Sequence, residues 1–223
     1  MIRRLRFLVS ALAIAIVAAA TPAFAGPPLL CFPFDVGSAK TLPMGARGWE
    51  SVDPSYDSSR LVADTLALLT PQTPVIVRME TLRRATVYAA KNPKITAALL
   101  DTLQARAAHA DQNVGYAVFD FGYLVETYKQ AAWMPGASGV TAEAQRAIAR
   151  AKEIDGYMLV QKAQTLTDDK AMSFALVAMS IDKTHGVDQL RAAIASAREA
   201  AKTDAAVRAN LANHWTETLS QFE

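Results

Sequence analysis

The sequence predicts an all-α protein, and three observations support that fold class. From residue 58 onward, apolar side chains recur at helical spacing between regular breaks. The 223 residues include 44 alanines, and alanine is the best helix former. Strand signals are thin, because the β-branched run at 75–77 is only three residues long. Helices therefore account for the regular structure expected here.

Caps and prolines divide this helical region into nine predicted helices. Thr73-Pro74 and Asn92-Pro93 each place a capping residue before a proline at the first helical position, so they open the second and third helices. Thr141, which no proline follows, is the predicted cap of the fifth helix. The predicted ranges are 58–69, 74–91, 93–110, 113–132, a fifth from 141, 155–166, 169–182, 187–201 and 204–219.

Helical hairpins would begin near residues 74, 113, 155 and 187, at spacings of 39, 42 and 32 residues. Through this pattern, residues 58–219 resemble tetratricopeptide and related helical-hairpin repeat proteins. The resemblance implies an irregular antiparallel hairpin array, a superhelix of paired helices. The Trp, Gly, Tyr, Ala and Pro positions of that repeat do not recur at fixed offsets, so an irregular helical bundle is the alternative fold.

Residues 1–25 have the pattern of a secretory signal peptide. Three arginines lie among the first six residues, and the stretch Phe7–Ala20 is apolar apart from one serine. Ala23 and Ala25 supply the small residues that a signal peptidase reads. The apolar stretch is shorter than the roughly 20 residues needed to span a bilayer. We therefore expect export through the Sec pathway to the periplasm or the exterior, with no membrane span after cleavage.

Cleavage after Ala25 would also change the charge of the protein. It would remove three of 23 basic residues and no acidic ones, leaving 20 against 21 and a net charge of −1. No polybasic run follows, so the sequence predicts no nucleic-acid partner.

Cys31 is the single cysteine of the chain, so no disulfide can form within it. We expect a buried or half-buried thiol, and an intermolecular disulfide is the alternative.

Residues 26–57 differ in character from the rest of the chain. This segment, here called the arm, holds nine of the twenty glycines and prolines, a density that prevents long helices. It is nevertheless too apolar for a solvated tail. Its apolar residues are Leu29, Leu30, Phe32, Phe34, Trp49 and Tyr56. We expect an extended arm that docks onto a single all-α domain formed by residues 58–223.

Sequence motifs for catalysis and cofactors are missing. The chain has no G-x-S-x-G, no H-E-x-x-H, no phosphate-binding glycine loop and no dinucleotide fingerprint. Its three histidines, His109, His185 and His214, lie near predicted helix ends without the spacing of a ligand pair. We therefore predict no cofactor and no metal site, and an enzyme is the less favoured class.

Two predicted helices carry a polar face with aromatic residues. On the fourth helix, Tyr116, Asp120, Tyr123 and Thr127 follow one another at spacings of four, three and four, opposite the apolar stripe. The second helix carries its own polar face, and in a hairpin array both faces would line one concave groove. Tyrosine and arginine contribute strongly to protein recognition. The predicted partner-binding residues are Arg78, Arg84, Tyr88, Tyr116, Asp120, Tyr123 and Thr127.

Three functional hypotheses follow from these faces. The first is an exported, non-enzymatic binding or scaffold protein that holds a peptide or protein partner on the Tyr/Arg/Asp face. The second is an exported hydrolase of envelope polymer that acts through Asp120 or Glu126. The third is a structural module in which residues 29–34 of the arm cover the same face in cis.

Overall fold

The computed structural model describes residues 28–109, 114–133 and 141–222. The predicted signal peptide, residues 1–25, lies outside these ranges. The described residues form ten α-helices and no strand, which confirms the all-α prediction. None of these helices is both long enough and apolar enough to cross a membrane.

The observed helices follow the predicted ranges to within a few residues, apart from the last. They are α1 (Leu61–Leu68), α2 (Val75–Ala89), α3 (Pro93–His109), α4 (Val114–Trp133), α5 (Ala142–Ala149), α6 (Gly156–Thr167), α7 (Met172–Ser180), α8 (Val187–Ala200), α9 (Ala205–Asn213) and α10 (Thr216–Ser220). Two 3-10 turns, Ser58–Arg60 and Arg150–Glu153, precede α1 and follow α5.

Two of the predicted caps, Thr141 and Asn92, are present, and the predicted cap at Thr73 is wrong. The Thr73 hydroxyl donates to the carbonyl oxygen of Leu68 at 2.7 Å, and α2 begins at Val75, after Pro74, without a side-chain cap. The Thr141 hydroxyl accepts a hydrogen bond from the Ala144 N–H at 3.0 Å, and the Asn92 carboxamide accepts one from the Lys94 N–H at 3.1 Å. Each bond satisfies an N–H that has no partner within the first turn of its helix. Local sequence therefore determines where these helices begin.

The predicted ninth helix, 204–219, is instead two short helices, and this is a correction. The break lies at Trp215, whose backbone is in the left-handed region at φ +54°. That turn directs the largely buried indole of Trp215 toward Phe32 and Phe174, with ring centroids 6.4 and 5.8 Å away. Aromatic packing at this point outweighs continuation of the helix.

Helix α4 is central, because it packs against α2, α3, α5 and α6. Its closest approach is to α6, where Gly122 faces Gly156. A Cβ atom on Gly122 would lie 2.8 Å from the carbonyl oxygen of Gly156, closer than van der Waals contact allows. The two glycines therefore set the distance between α4 and α6.

The arm, described from residue 28, runs without an α-helix along the helical domain. Leu29, Leu30, Phe34 and Leu42 are almost completely buried and belong to the hydrophobic core. The arm also meets the carboxyl-terminal part of the chain, since the Phe34 ring lies 5.5 Å from that of His214. Both ends of the described chain are thereby packed together.

Candidate functional site: the charged face of helix α2

The structure places five of the seven predicted site residues between helices and two, Arg84 and Tyr88, against the arm. Arg78, Tyr88, Asp120, Tyr123 and Thr127 are buried. Tyr116 and Arg84 keep partial exposure. The ionised members belong to two separate clusters, one around Asp120 on α4 and one around Glu80 on α2.

The Asp120 cluster joins α4 to the start of α2. The Arg78 guanidinium donates through Nη1 to both carboxylate oxygens of Asp120, at 2.9 and 2.8 Å, and both side chains are fully buried. Arg78 also donates to the carbonyl oxygens of Thr73, at 2.9 Å, and Thr70. Arg106 from α3 lies 3.5 Å from the same carboxylate. The cluster therefore fixes the turn between α1 and α2 against α3 and α4.

Tyr116 completes this cluster from the preceding turn of α4. The Arg78 guanidinium lies 4.5 Å from the centre of its ring, a cation–π distance, and its hydroxyl donates to Asp169 at 3.0 Å. Burial raises the pKa of Asp120 to about 6, although Arg78 and Arg106 act in the opposite direction. Asp120 is closed to solvent, so it has a structural role in this state.

The Glu80 cluster is built on two adjacent turns of α2. Its carboxylate, fully buried, accepts hydrogen bonds from Arg83 Nε at 2.7 Å and Nη2 at 2.8 Å, and from Arg84 Nε at 2.6 Å. A fourth donor is the backbone N–H of Phe34 in the arm, at 3.0 Å. Burial alone would raise the pKa of Glu80, but the bonds and charges of these donors outweigh it and hold that pKa below its usual value of 4.5.

The same arginines bind the main chain of the arm. Arg83 Nη1 donates to the carbonyl oxygens of Leu30 at 3.1 Å and Trp49 at 3.0 Å. Arg84 Nη1 donates to the carbonyl oxygen of Leu42 at 2.6 Å. Each guanidinium group thus donates some of its N–H groups to Glu80 and others to carbonyl oxygens of the arm, which has no helix or strand to satisfy them.

Tyr88, one turn beyond Arg84, continues this row of contacts. Its hydroxyl donates to the carbonyl oxygen of Pro43 at 2.8 Å and accepts from the N–H of Asp53 at 3.0 Å. Its ring meets that of Tyr56 edge to face, with centroids 4.9 Å apart. The polar face of α2 therefore holds the arm over most of its length.

Two carboxamides hold further parts of the arm. Gln130 on α4 accepts a hydrogen bond from the Leu29 N–H at 2.8 Å. Asn210 on α9 makes a paired contact with Asp35, accepting from its N–H at 2.9 Å and donating to its carbonyl oxygen at 2.8 Å. One carboxamide thus satisfies both polar groups of a single residue's main chain.

Tyr123 and Thr127 lie deeper in the interface between α2 and α4. The Thr127 hydroxyl is 2.8 Å from that of Thr86 on α2. The Tyr123 ring stacks on Phe119 with centroids 5.8 Å apart, and its buried hydroxyl makes no hydrogen bond with the described residues. These two residues pack helices together, whereas Arg84 and Tyr88 contact the arm.

The sequence predicted the polar faces of α2 and α4 but not all of the residues that hold the arm. Arg83, buried, and Asn210, on a distant helix, carry arm contacts that the stripe on α2 and α4 did not include. One sequence signal pointed to them: an apolar arm without helices needs donors for its carbonyl groups. The chain's long polar side chains are the natural source of those donors.

A separate cavity of about 450 Å³ lies between α4 and the end of α7. Its lining residues are Pro28, Glu126, Lys129, Gln130, Met179, Asp182, Thr184 and His185. The Glu126 carboxylate accepts from the Gly156 N–H at 2.9 Å and from Lys129 Nζ at 2.8 Å, so it also stabilises the start of α6. Glu126, one of the two carboxylates named in the alternative hydrolase hypothesis, thus shares a cavity with His185 and Asp182.

The remaining candidate chemistry in the described residues is sparse. They contain no group of three or more His, Cys, Asp or Glu side chains placed to hold a metal ion. Cys31 is half-buried in the arm, where burial raises the pKa of its thiol.

No protein-family model, curated protein or solved structure matches this chain.

The position of Glu80 generates a pH-dependent prediction. Glu80→Gln removes the charge that Arg83 and Arg84 share, and we expect it to lower the free energy of unfolding by about 3 kcal/mol at pH 7. Because the pKa of Glu80 is lower in the folded protein, its contribution is complete above pH 4.5 and is lost as the pH falls through the folded pKa. The difference in the free energy of unfolding between the wild type and Glu80→Gln should therefore become smaller below pH 4.5.

Urea denaturation of both proteins between pH 3 and pH 8 measures this difference. Glu143→Gln is the matched control, because Glu143 is exposed and pairs only with exposed Arg146 in the described structure. It should change the free energy of unfolding little at any pH. A Glu80→Gln effect that keeps its size down to pH 3 would contradict this account of the cluster.

Proposed function

We propose that the protein is an exported, non-enzymatic binding or scaffold module. Its Tyr/Arg/Asp-lined face holds an extended peptide segment, and in the isolated chain the arm occupies that face in cis. The features of residues 1–25 support Sec-dependent export to the periplasm or the exterior. A peptide or protein partner would contact the same helices.

One observation carries this proposal. Three side chains of α2, those of Arg83, Arg84 and Tyr88, donate hydrogen bonds to carbonyl oxygens of the arm. Contacts to main-chain carbonyls depend little on side-chain identity, so they suit a surface that holds extended chain. Arg78 and Asp120 support this face from beneath, because they fix the start of α2 against α4.

Part of the helix packing supports the proposed hairpin array. α2 packs against α3, α4 against α5, α6 against α7 and α8 against α9, as four successive hairpins require, but α4 and α8 pack more extensively on the preceding helices α3 and α7. The first helices of neighbouring hairpins also meet, α2 with α4 and α4 with α6. In such an array those first helices line one surface, which is the surface proposed here to hold peptide.

The cavity beside α4 favours a second candidate function. Glu126, Asp182 and His185 all line it, and a carboxylate with a histidine is one combination that general acid–base hydrolysis can use. An exported hydrolase of envelope polymer would act here through Glu126, while Asp120 is enclosed by two arginines.

The binding proposal predicts that the arm can be exchanged for peptide added in solution. We would insert a protease site between Pro54 and Ser55, both exposed, and cleave the folded mature protein there. The nicked protein should retain its arm and slowly exchange it for a fluorescent peptide of residues 26–54. Arg84→Ala should accelerate release about fivefold or more, since it removes a charged donor to the arm.

Arg146→Ala is the control for this experiment, because Arg146 is exposed and pairs with exposed Glu143 on α5, a helix that packs against α3 and α4. It should leave the exchange rate unchanged. If the labelled peptide enters only when the protein unfolds, the α2 face is permanent core and the binding proposal is wrong.

The two candidate functions differ in a direct assay. Mature protein incubated with dye-labelled cell-wall polymer should release no soluble dye if the protein only binds. Release by the wild type that disappears in Glu126→Gln and persists in Asp101→Asn, an exposed control, would establish the hydrolase instead.

A further inference from the structure

We infer that the groove between α6 and α8 is a binding site for an uncharged, extended peptide segment of a partner protein. This inference rests on the binding function proposed above and assigns it a second, open surface. The groove has a volume of about 420 Å³. Helices α6 and α8 form its walls and α7 forms its floor.

The groove exists because its floor and one wall carry small side chains. Ala192 and Ala193 on α8 leave space beside Ser173 and Leu176 on α7. The Ser173 side chain is fully buried and its hydroxyl donates to that of Ser196 at 2.6 Å. It also accepts a hydrogen bond from the Gln164 carboxamide. The floor is therefore ordered by its own hydrogen bonds before any ligand arrives.

None of the ten side chains that line the groove carries a charge at neutral pH. They are Tyr157, Gln161, Gln164, Thr165, Ser173, Leu176, Gln189, Ala192, Ala193 and Ser196. The outer face of α8, by contrast, carries the exposed ion pair of Asp188 and Arg191. A charged ligand would lose hydration in the groove without gaining a partner, so the lining selects an uncharged one.

The polar groups of the groove match those of a peptide main chain. Gln161 and Gln189 stand on opposite walls, and each carboxamide offers both a donor and an acceptor. This protein already binds extended chain in that way. Asn210 pairs with the N–H and the carbonyl of Asp35, and Gln130 accepts from Leu29.

The dimensions limit the length of the segment. The α6 wall runs from Tyr157 to Thr165 and the α8 wall from Gln189 to Ser196, which correspond to about 12 and about 10 Å along the helix axes. Extended peptide rises about 3.3 Å per residue. The groove therefore takes about three residues, with the chain continuing at both ends.

One exposed apolar side chain lies on the groove side of α6. Met158, at 57% exposure, stands seven positions before Thr165, so it projects from the same side of the helix as that lining residue. The other exposed apolar residues, Leu166 and Val187, project from other sides of their helices, and Leu166 lies beside Gly115 of α4. Methionine at a surface adapts to varied apolar partners, which suits contact with a side chain of a bound peptide.

The same residues argue against a sugar as the ligand. Carbohydrate binding relies on a flat aromatic face, and Tyr157 is the aromatic residue in this groove. Its ring is already stacked on His185, with centroids 3.9 Å apart, and it is 4% exposed. The exposed Met158 side chain and the carboxamides of Gln161 and Gln189 fit peptide better.

A titration of the full mature chain with a blocked pentapeptide tests this inference. The probe is acetyl-Ala-Leu-Ala-Met-Ala-amide, which carries no charge. We expect saturable binding, with shifts of the Gln161 and Gln189 side-chain NH₂ signals in nitrogen-15 NMR spectra. The double substitution Gln161→Ala with Gln189→Ala should weaken binding about fivefold or more, and so should N-methylation of the central alanine.

Gln104→Ala is the matched control, because Gln104 is an exposed glutamine on α3, away from the groove. It should bind the pentapeptide as the wild type does. The inference is overturned if the pentapeptide does not saturate, if the groove carboxamides do not shift, or if chitotriose shifts them and the peptide does not. If one of these results is obtained while the arm still exchanges with added peptide, the groove is not a binding site, but the proposed function of the α2 face is retained.

Discussion

One buried carboxylate organises this protein. Glu80 has no contact with solvent, so it must be neutralised and hydrogen-bonded where it lies, and Arg83, Arg84 and the Phe34 N–H do this. Two of those donors belong to α2 and the third belongs to the arm. The cluster is complete only when the arm is docked, so satisfying a charge on one helix also places about 30 residues of irregular chain.

The consequences of that constraint reach both ends of the chain. Once Phe34 is fixed over Glu80, its ring packs against His214 and Phe174, and the carboxyl-terminal helices gain a partner. The arm also covers Arg84 and Tyr88 on α2, which donate to its carbonyl oxygens. A partner that reaches the α2 face must therefore replace the arm, whereas the groove between α6 and α8 is open in the same state.

The helices could be predicted from the sequence, but the burial of their polar faces could not. Caps such as Thr141 and Asn92-Pro93 act within one turn, so helix starts could be placed from local residues. The break at Trp215 depends on packing with Phe32 and Phe174, which are far away in sequence. Arg84 and Asp120 were predicted on a peptide-binding face because they lie opposite the apolar stripes of α2 and α4. The i,i+4 spacing of Glu80 and Arg84 favours their ion pair. The bond of Arg84 to Leu42 and the bonds of Asp120 to Arg78 and Arg106 join different elements, and no local pattern encodes those contacts.

Hydrogen exchange at the Phe34 amide tests the central claim most directly, because that N–H is the arm's own contribution to the Glu80 cluster. The account predicts strong protection of this N–H, lost in step with that of the Leu29 and Asp35 amides through slow opening of the whole arm while α2 stays folded. Rapid exchange of the Phe34 N–H while α2 remains protected would mean that the arm detaches freely. The cluster would then not be what holds the arm to the helical domain.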